Sequence, residues 1–316
     1  MTATARVALR DSHAGALLTV FAAALVTCDG RGRSRGGDSA ERAAQAALDR
    51  HDAAAAECAS PSGGGHADIQ REVAYAEAPH QPAIVRFVNR RRPHTYCLAI
   101  PHENEQTGFE VAIEFIARHG GTIVRVEQNG RRNVDFGNAG RKSAADPNRI
   151  ATRAGVRRTL AMLNADLGEG PIPAELFDRV AGFGQRFVAA IDSCLARADY
   201  RAVIAPHNNR DATLDADYGI LSYGRPGAAA GDADKTVTGN PAIHESQDTD
   251  DFFVVTDRRD FDRLRADWNA ALLSRDATDD GSLAIYYLDK RYINVEAQHG
   301  AHARQAAMLR AAAHLN

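Results

Sequence analysis

Cysteine is scarce and poorly spaced for metal chemistry. The four thiols, Cys28, Cys58, Cys97 and Cys194, form no Cys-x-x-Cys pair, which argues against a zinc-thiolate or dithiol redox site. Charge of one sign is also lacking. The formal net charge is −3, so nothing marks nucleic acid as a bulk partner. No long hydrophobic run is present either. The most apolar stretch, Ala14 to Val26, is too short for a comfortable membrane span. Lysine is rare beside arginine, a mark of GC-rich coding more than of mechanism. What is present is ordinary for a globular protein: 44% hydrophobic and 25% charged residues over 316 positions, enough for one large α/β domain or two small ones.

The first segment reads as an export signal, with Arg6 and Arg10 ahead of the apolar run. Leu25-Val26-Thr27-Cys28 resembles a lipoprotein cleavage box, which would make Cys28 a lipid anchor and the only membrane attachment. Cleavage near Ala22 to Ala24 without lipid is the alternative. In an oxidising compartment two of Cys58, Cys97 and Cys194 could pair, and the sequence does not choose which. The chain thus divides into a leader (1–28), a low-complexity and partly helical segment (29–80), and a catalytic domain (81–316).

Within that domain, Ala83 to Val88, Thr95 to Ile100, Thr122 to Val126, Ala202 to Pro206, Phe252 to Thr256, Leu283 to Leu288 and Tyr292 to Glu296 read as strands. Phe109 to Arg118, Arg157 to Ala165, Pro173 to Ala198, Asp260 to Leu273 and Ala301 to Leu315 carry helical spacing. Strands alternating with helices indicate an α/β fold, a three-layer α/β/α arrangement with a mixed, largely parallel sheet. The Gly- and Asp-rich region from Arg210 to Asp251 reads as loops over a site, and Asp248 to Asp251 as a solvated acidic loop rather than a calcium site.

Chemistry concentrates at strand ends. Pro101-His102-Glu103-Asn104-Glu105 lies where a strand turns into a helix, the place open α/β sheets put their sites. His102 and Glu105, three apart, can face one point and offer nitrogen and oxygen to Zn²⁺, with Glu103 a competitor as ligand. Three more clusters share this position: Asp146-Pro147-Asn148-Arg149, His207-Asn208-Asn209 and Glu296-Ala297-Gln298-His299-Gly300. Each alone has a plain explanation: a turn starter, an imidazole on a backbone carbonyl, an ion pair with one of many arginines.

Together the clusters resemble the zinc metallocarboxypeptidase superfamily, which includes carboxypeptidase A and the aspartoacylase/succinylglutamate desuccinylase branch. The resemblance covers roughly Pro82 to the C-terminus. It implies a zinc carboxypeptidase-like fold, zinc held by His102, Glu105 and His207, and a substrate carboxylate held by Asn148 and Arg149. Glu296 is then the general base. A further substrate-binding arginine is implied upstream: Arg141 stands at the acylase-branch spacing and is the first choice, while Arg131 or Arg132 fits the carboxypeptidase branch. Tyr286, Tyr287 and Tyr292 compete for the tyrosine near the scissile bond. His299 and His302 read as bystanders or substrate contacts. The implied activity is an exported, periplasmic or extracellular hydrolase cleaving a peptide or amide bond beside a free carboxylate, on peptides such as those derived from peptidoglycan. The wording Asp146-Pro147-Asn148-Arg149-Ile150, and the Gln298 and Gly300 after Glu296, lean toward an N-acyl amino acid deacylase instead. A non-catalytic exported zinc-binding or interaction protein is the alternative from another class.

Overall fold

A computed structural model describes residues 68–76, 81–137, 143–164, 171–209, 219–223 and 237–315. The expected leader, Cys28, the helical piece from Ala40 to Cys58, Arg141 and much of the Arg210 to Asp251 region lie outside these residues. The described residues belong to one compact unit, Gly63–Asn316.

In chain order the elements are β1 (Ile69–Ala76), β2 (Ala83–Asn89), β3 (Cys97–Ile100), α1 (Gln106–His119), β4 (Thr122–Glu127), β5 (Val134–Asp135), β6 (Ala144–Ala145), α2 (Arg153–Leu163), α3 (Ala174–Arg197), β7 (Val203–Asn209), β8 (Phe252–Val255), α4 (Arg258–Leu264), β9 (Asn269–Leu272), α5 (Leu283–Tyr286), β10 (Tyr292–Gln298) and α6 (His302–Ala312). Short 3₁₀ turns cover Pro147–Arg149 and Ile220–Tyr223. Eight strands form one mixed sheet in the order β1-β2-β4-β3-β7-β10-β8-β9. The pairings β3–β4, β3–β7, β7–β10 and β8–β9 are parallel. The pairings β1–β2, β2–β4 and β8–β10 are antiparallel.

The central strands are apolar on both sides because both sides are covered. Cys97, Ala99, Val203 and Ala205 pack with Val180, Phe183, Phe187 and Ile191 of α3. Leu98, Ile100, Ile204 and Val295 pack with Val111, Phe115 and Ile116 of α1 and with Met308 and Leu309 of α6. Each such fully buried large side chain contributes about 1.5–3 kcal/mol by leaving water. α1 stops at Gly120 (φ 86°), where a Cβ would strike Arg92 and Thr95. Cys97 of β3 and Cys194 of α3 form a disulfide with Cα atoms 5.7 Å apart, which settles the pairing the sequence left open. No described helix is long and apolar enough to cross a membrane.

Three segments differ from the sequence reading. The expected helix from Asp260 to Leu273 is instead α4 followed by β9. Asp257 caps α4, accepting from the backbone N–H groups of Arg259 and Asp260, and the run Asn269–Leu272 is buried throughout as a strand beside β8. An apolar run this short cannot reveal its own period. The expected strand from Leu283 to Leu288 is the single turn α5, begun by Ser282, whose hydroxyl accepts from Ile285 N–H. Finally, β1 occupies part of the stretch assigned to the low-complexity segment. It is an edge strand paired only with β2 and partly exposed, so it carries little of the hydrophobic signal that marks a central strand.

Candidate metal centre

β3 delivers Pro101 and His102 at its end, and Glu105 occupies the N-cap position of α1. α1 docks closely on β7. Gly108 N–H donates to Asn208 Oδ1 (2.8 Å), and a Cβ on Gly108 would stand 3.3 Å from the Pro206 carbonyl oxygen. That close approach brings the Glu105 carboxylate against His207, near the end of β7. Glu105 Oε1 lies 2.6 Å from His102 Nδ1, and Oε2 lies 3.0 Å from His207 Nδ1. The two imidazoles cross edge to face with centroids 5.4 Å apart. All three side chains are buried. Among the described residues they form the one group of three whose ligand atoms lie within 4.8 Å of one another.

The donor set suits a divalent cation: two imidazole nitrogens and one carboxylate in a site shielded from water. The far nitrogen of His102 is already oriented, since Nε2 lies 2.8 Å from Asp146 Oδ1, the carboxylate–imidazole support usual behind metal-bound histidine. His207 Nε2 is buried without a hydrogen-bond partner, so Glu105 is what the His207 ring faces. Asp146, readable in the sequence only as a turn starter, is therefore part of the site. It also accepts from Asn148 N–H (2.8 Å), which sets the Pro147–Arg149 turn.

Burial opposes charge on His102, yet the Glu105 and Asp146 carboxylates outweigh it and hold its pKa up at about 9. Burial likewise works against the Glu105 anion, and the two histidines overcome that, keeping its pKa well below the usual carboxylate value. Asp146 is depressed in the same way: burial is outweighed by His102 and then Arg132. Protonated His102 stabilises the metal-free fold fully below its ordinary pKa of about 6.5, and that contribution is lost as pH rises through about 9. The depressed carboxylates contribute above their ordinary range of about 4 and lose this on acidification. Chelator-stripped protein is thus expected to show a falling thermal midpoint from pH 6.5 to 9, measured by calorimetry. His102→Gln should flatten that decline. An equally steep decline in the variant would remove His102 as its cause.

Of the other expected residues, Glu296 and Arg132 stand nearest this cluster. The parallel register places Glu296 of β10 beside His207 of β7, and Glu296 Oε1 accepts from Asn294 Nδ2 (2.8 Å). Of the candidate arginines, Arg141 is not described, while Arg132 reaches the centre. Its guanidinium donates to Glu105 Oε1 (2.8 Å) and stands 3.7 Å from Asp146 Oδ2. Burial works against its charge, but the Asp146, Glu105 and then Glu296 carboxylates outweigh it and raise its pKa.

Asn148 Oδ1 accepts from Leu283 N–H (3.2 Å), and Arg149 pairs with Asp280. These contacts require Gly155 and Gly281, since a Cβ on either would collide with the Arg149 carbonyl oxygen. Asp280 gave no signal in the sequence beyond a loop of acids. Glu103, a competitor for the metal by sequence, turns away and binds the backbone of the Gln128 to Gly130 turn. Among the candidate tyrosines, Tyr287 and Tyr292 are both buried; the Tyr292 phenol pKa is raised by burial first and then by the Glu296 charge. His302 pairs with Glu110 on the surface (2.7 Å), apart from the cluster. No family model and no curated protein matches the chain, so its chemistry has to be read from these side chains.

Proposed function

We propose that the chain is an exported zinc-dependent hydrolase that cleaves a peptide or amide bond beside a free carboxylate, on a three-layer α/β/α scaffold of the zinc-carboxypeptidase kind. The observation that carries this reading is the convergence of His102, Glu105 and His207 with Glu296 in register beside them. Two imidazoles and one carboxylate leave an open position, as catalytic rather than structural zinc sites do. Zinc, when bound, polarises the scissile carbonyl and lowers the pKa of water toward ~7.

Glu296 takes a proton from the attacking water and delivers it to the departing amine nitrogen, so that amide plus water gives carboxylate plus amine. Asn294 holds the Glu296 carboxylate in orientation through its amide donor. Arg132, directed into the site by Glu105 and Asp146, stabilises negative charge that develops on the carbonyl oxygen. Asn148 and Arg149 hold the substrate carboxylate, for which a guanidinium fork is suited. Arg149 then exchanges Asp280 for the substrate anion. That exchange keeps the arginine placed and neutralised between turnovers.

The Cys97–Cys194 disulfide supports export, because cytosolic thiols are generally kept reduced, and export favours a peptide substrate, with Cys28 as lipid anchor or the leader simply removed. The motif wording around Asn148 and Gln298 favours the N-acyl amino acid deacylase as the second reading. A digest of mixed peptides and N-acyl amino acids, read by mass, separates loss of a C-terminal residue from loss of an acyl group. Amidating the substrate's terminal carboxylate is expected to lower kcat/KM by roughly 10- to 150-fold, the worth of a charge-assisted hydrogen-bonded pair. Equal rates would dismiss the Asn148 and Arg149 clamp. Zinc uptake with no turnover on either substrate class would leave the non-catalytic alternative.

A further inference from the structure

We infer that Glu103 is a positioning residue that sets the reach of Arg132 into the metal centre, an inference that rests on the reading of that centre given above. The side chain of Glu103 lies between the two ligands in sequence but serves a different structure. One carboxylate oxygen, Oε2, accepts from three successive backbone N–H groups: Gln128 (2.6 Å), Asn129 (2.7 Å) and Gly130 (2.7 Å). Successive amides in a turn form a concavity for an anion, and here the anion is supplied by the chain itself. Gly130 takes the positive φ (72°) this turn requires. The Glu103 carbonyl oxygen is held as well, accepting from Arg125 (2.8 Å).

Arg132 follows the turn by two residues. On its other side the connection is closed by Gln128, whose side-chain amide donates to the Asp135 carbonyl (2.6 Å) and accepts from Asp135 N–H (2.7 Å). The segment carrying Arg132 is therefore tied at both ends, one tie being Glu103. Between the ties Arg131 and Arg132 are exposed, so little packing fixes the path of the chain. Arg132 nevertheless places its guanidinium 2.8 Å from Glu105. Releasing the Glu103 tie frees the segment and withdraws that cation from Glu105 and Asp146. Glu103, between His102 and Glu105 in the chain, thus links the ligand pair to the arginine that opposes it.

The direction of the effect on metal affinity separates positioning from simple structural support. Arg132 competes with a cation for Glu105, so its withdrawal strengthens zinc binding; a general loosening of the site would weaken it. The experiment compares full-length wild type, E103A, E103Q, R132A and the E103A/R132A double variant. Zinc affinity is read by competition with a chelating indicator. Amide exchange is read at residues 128–130, and kcat and KM on the N-acyl amino acid and peptide panel.

E103A and R132A are each expected to raise zinc affinity about two- to fivefold, the worth of a half-exposed ion pair, and the double variant no further. Amide exchange at 128–130 should accelerate in E103A and not in R132A. E103Q, which keeps an acceptor oxygen without the charge, should fall between wild type and E103A. The change in kcat against KM in E103A should match that of R132A. Weaker zinc binding in E103A, unchanged affinity, or additive effects in the double variant would each overturn the proposal. Absence of turnover in the wild type with the zinc and exchange pattern intact would count against the hydrolase reading and leave the role of Glu103 supported.

Discussion

His207→Ala is expected to remove most of the bound zinc. On the proposed reading the imidazole is one of three ligands; on the scale of zinc-site affinities of ~10–16 kcal/mol, loss of one of three ligands lowers affinity on the order of 10³-fold. The position makes the loss hard to repair. His207 lies in a central strand between β3 and β10, with its ring buried against His102 and Glu105, so a replacement ligand would have to displace that packing. Metal analysis of the purified variant after dialysis measures the loss. His299→Ala, a neighbouring histidine outside the ligand group, is the control and should retain the metal. Full zinc retention in His207→Ala would point to a different third ligand. Circular dichroism checks that the variant folds, since the substitution also takes one of Glu105's two histidine partners.

Glu296→Gln is expected to reduce kcat by roughly 10²- to 10⁴-fold, the usual range for loss of general acid–base catalysis, with zinc content unchanged. The amide has the shape of the carboxylate and can still accept the Asn294 hydrogen bond, but it cannot take a proton from water. Because β10 pairs with β7 along seven residues, from Tyr292 beside Val203 to Gln298 beside Asn209, the substitution leaves the ligand strand undisturbed. A rate unaltered by this change would remove Glu296 from the role of base. A loss of zinc along with activity would make Glu296 a ligand.

The cluster of His102, Glu105 and His207 was legible in the sequence because its members sit at or near strand ends that hydrophobic runs reveal. Cys97 to Ile100 and Val203 to Ala205 are apolar enough to mark central strands, and His102 and His207 follow them directly. The supporting residues were less visible, because their roles depend on contacts far apart in the chain. Asp146 meets His102 across 44 positions, and Asp280 meets Arg149 through a loop whose approach depends on two glycines. Spacing favoured Arg141, which lies outside the described residues, while the contacts of Arg132 with Glu105 and Asp146 come from a loop path that spacing does not reveal. Glu103 was misleading for a related reason: a carboxylate beside two ligands reads as a third until the turn it binds is seen. In the fold, β9 and α5 were misassigned where four-residue segments carry too little periodicity, and β1 was hidden by its half-exposed edge position.

The most direct test is a crystal structure of zinc-soaked protein with anomalous diffraction collected on both sides of the zinc absorption edge. One zinc per chain is expected, about 2.0–2.2 Å from one nitrogen each of His102 and His207 and from a Glu105 carboxylate oxygen, with a further position open toward Glu296. A zinc peak away from these three side chains, or His102 and His207 turned from each other with no metal between them, would contradict it.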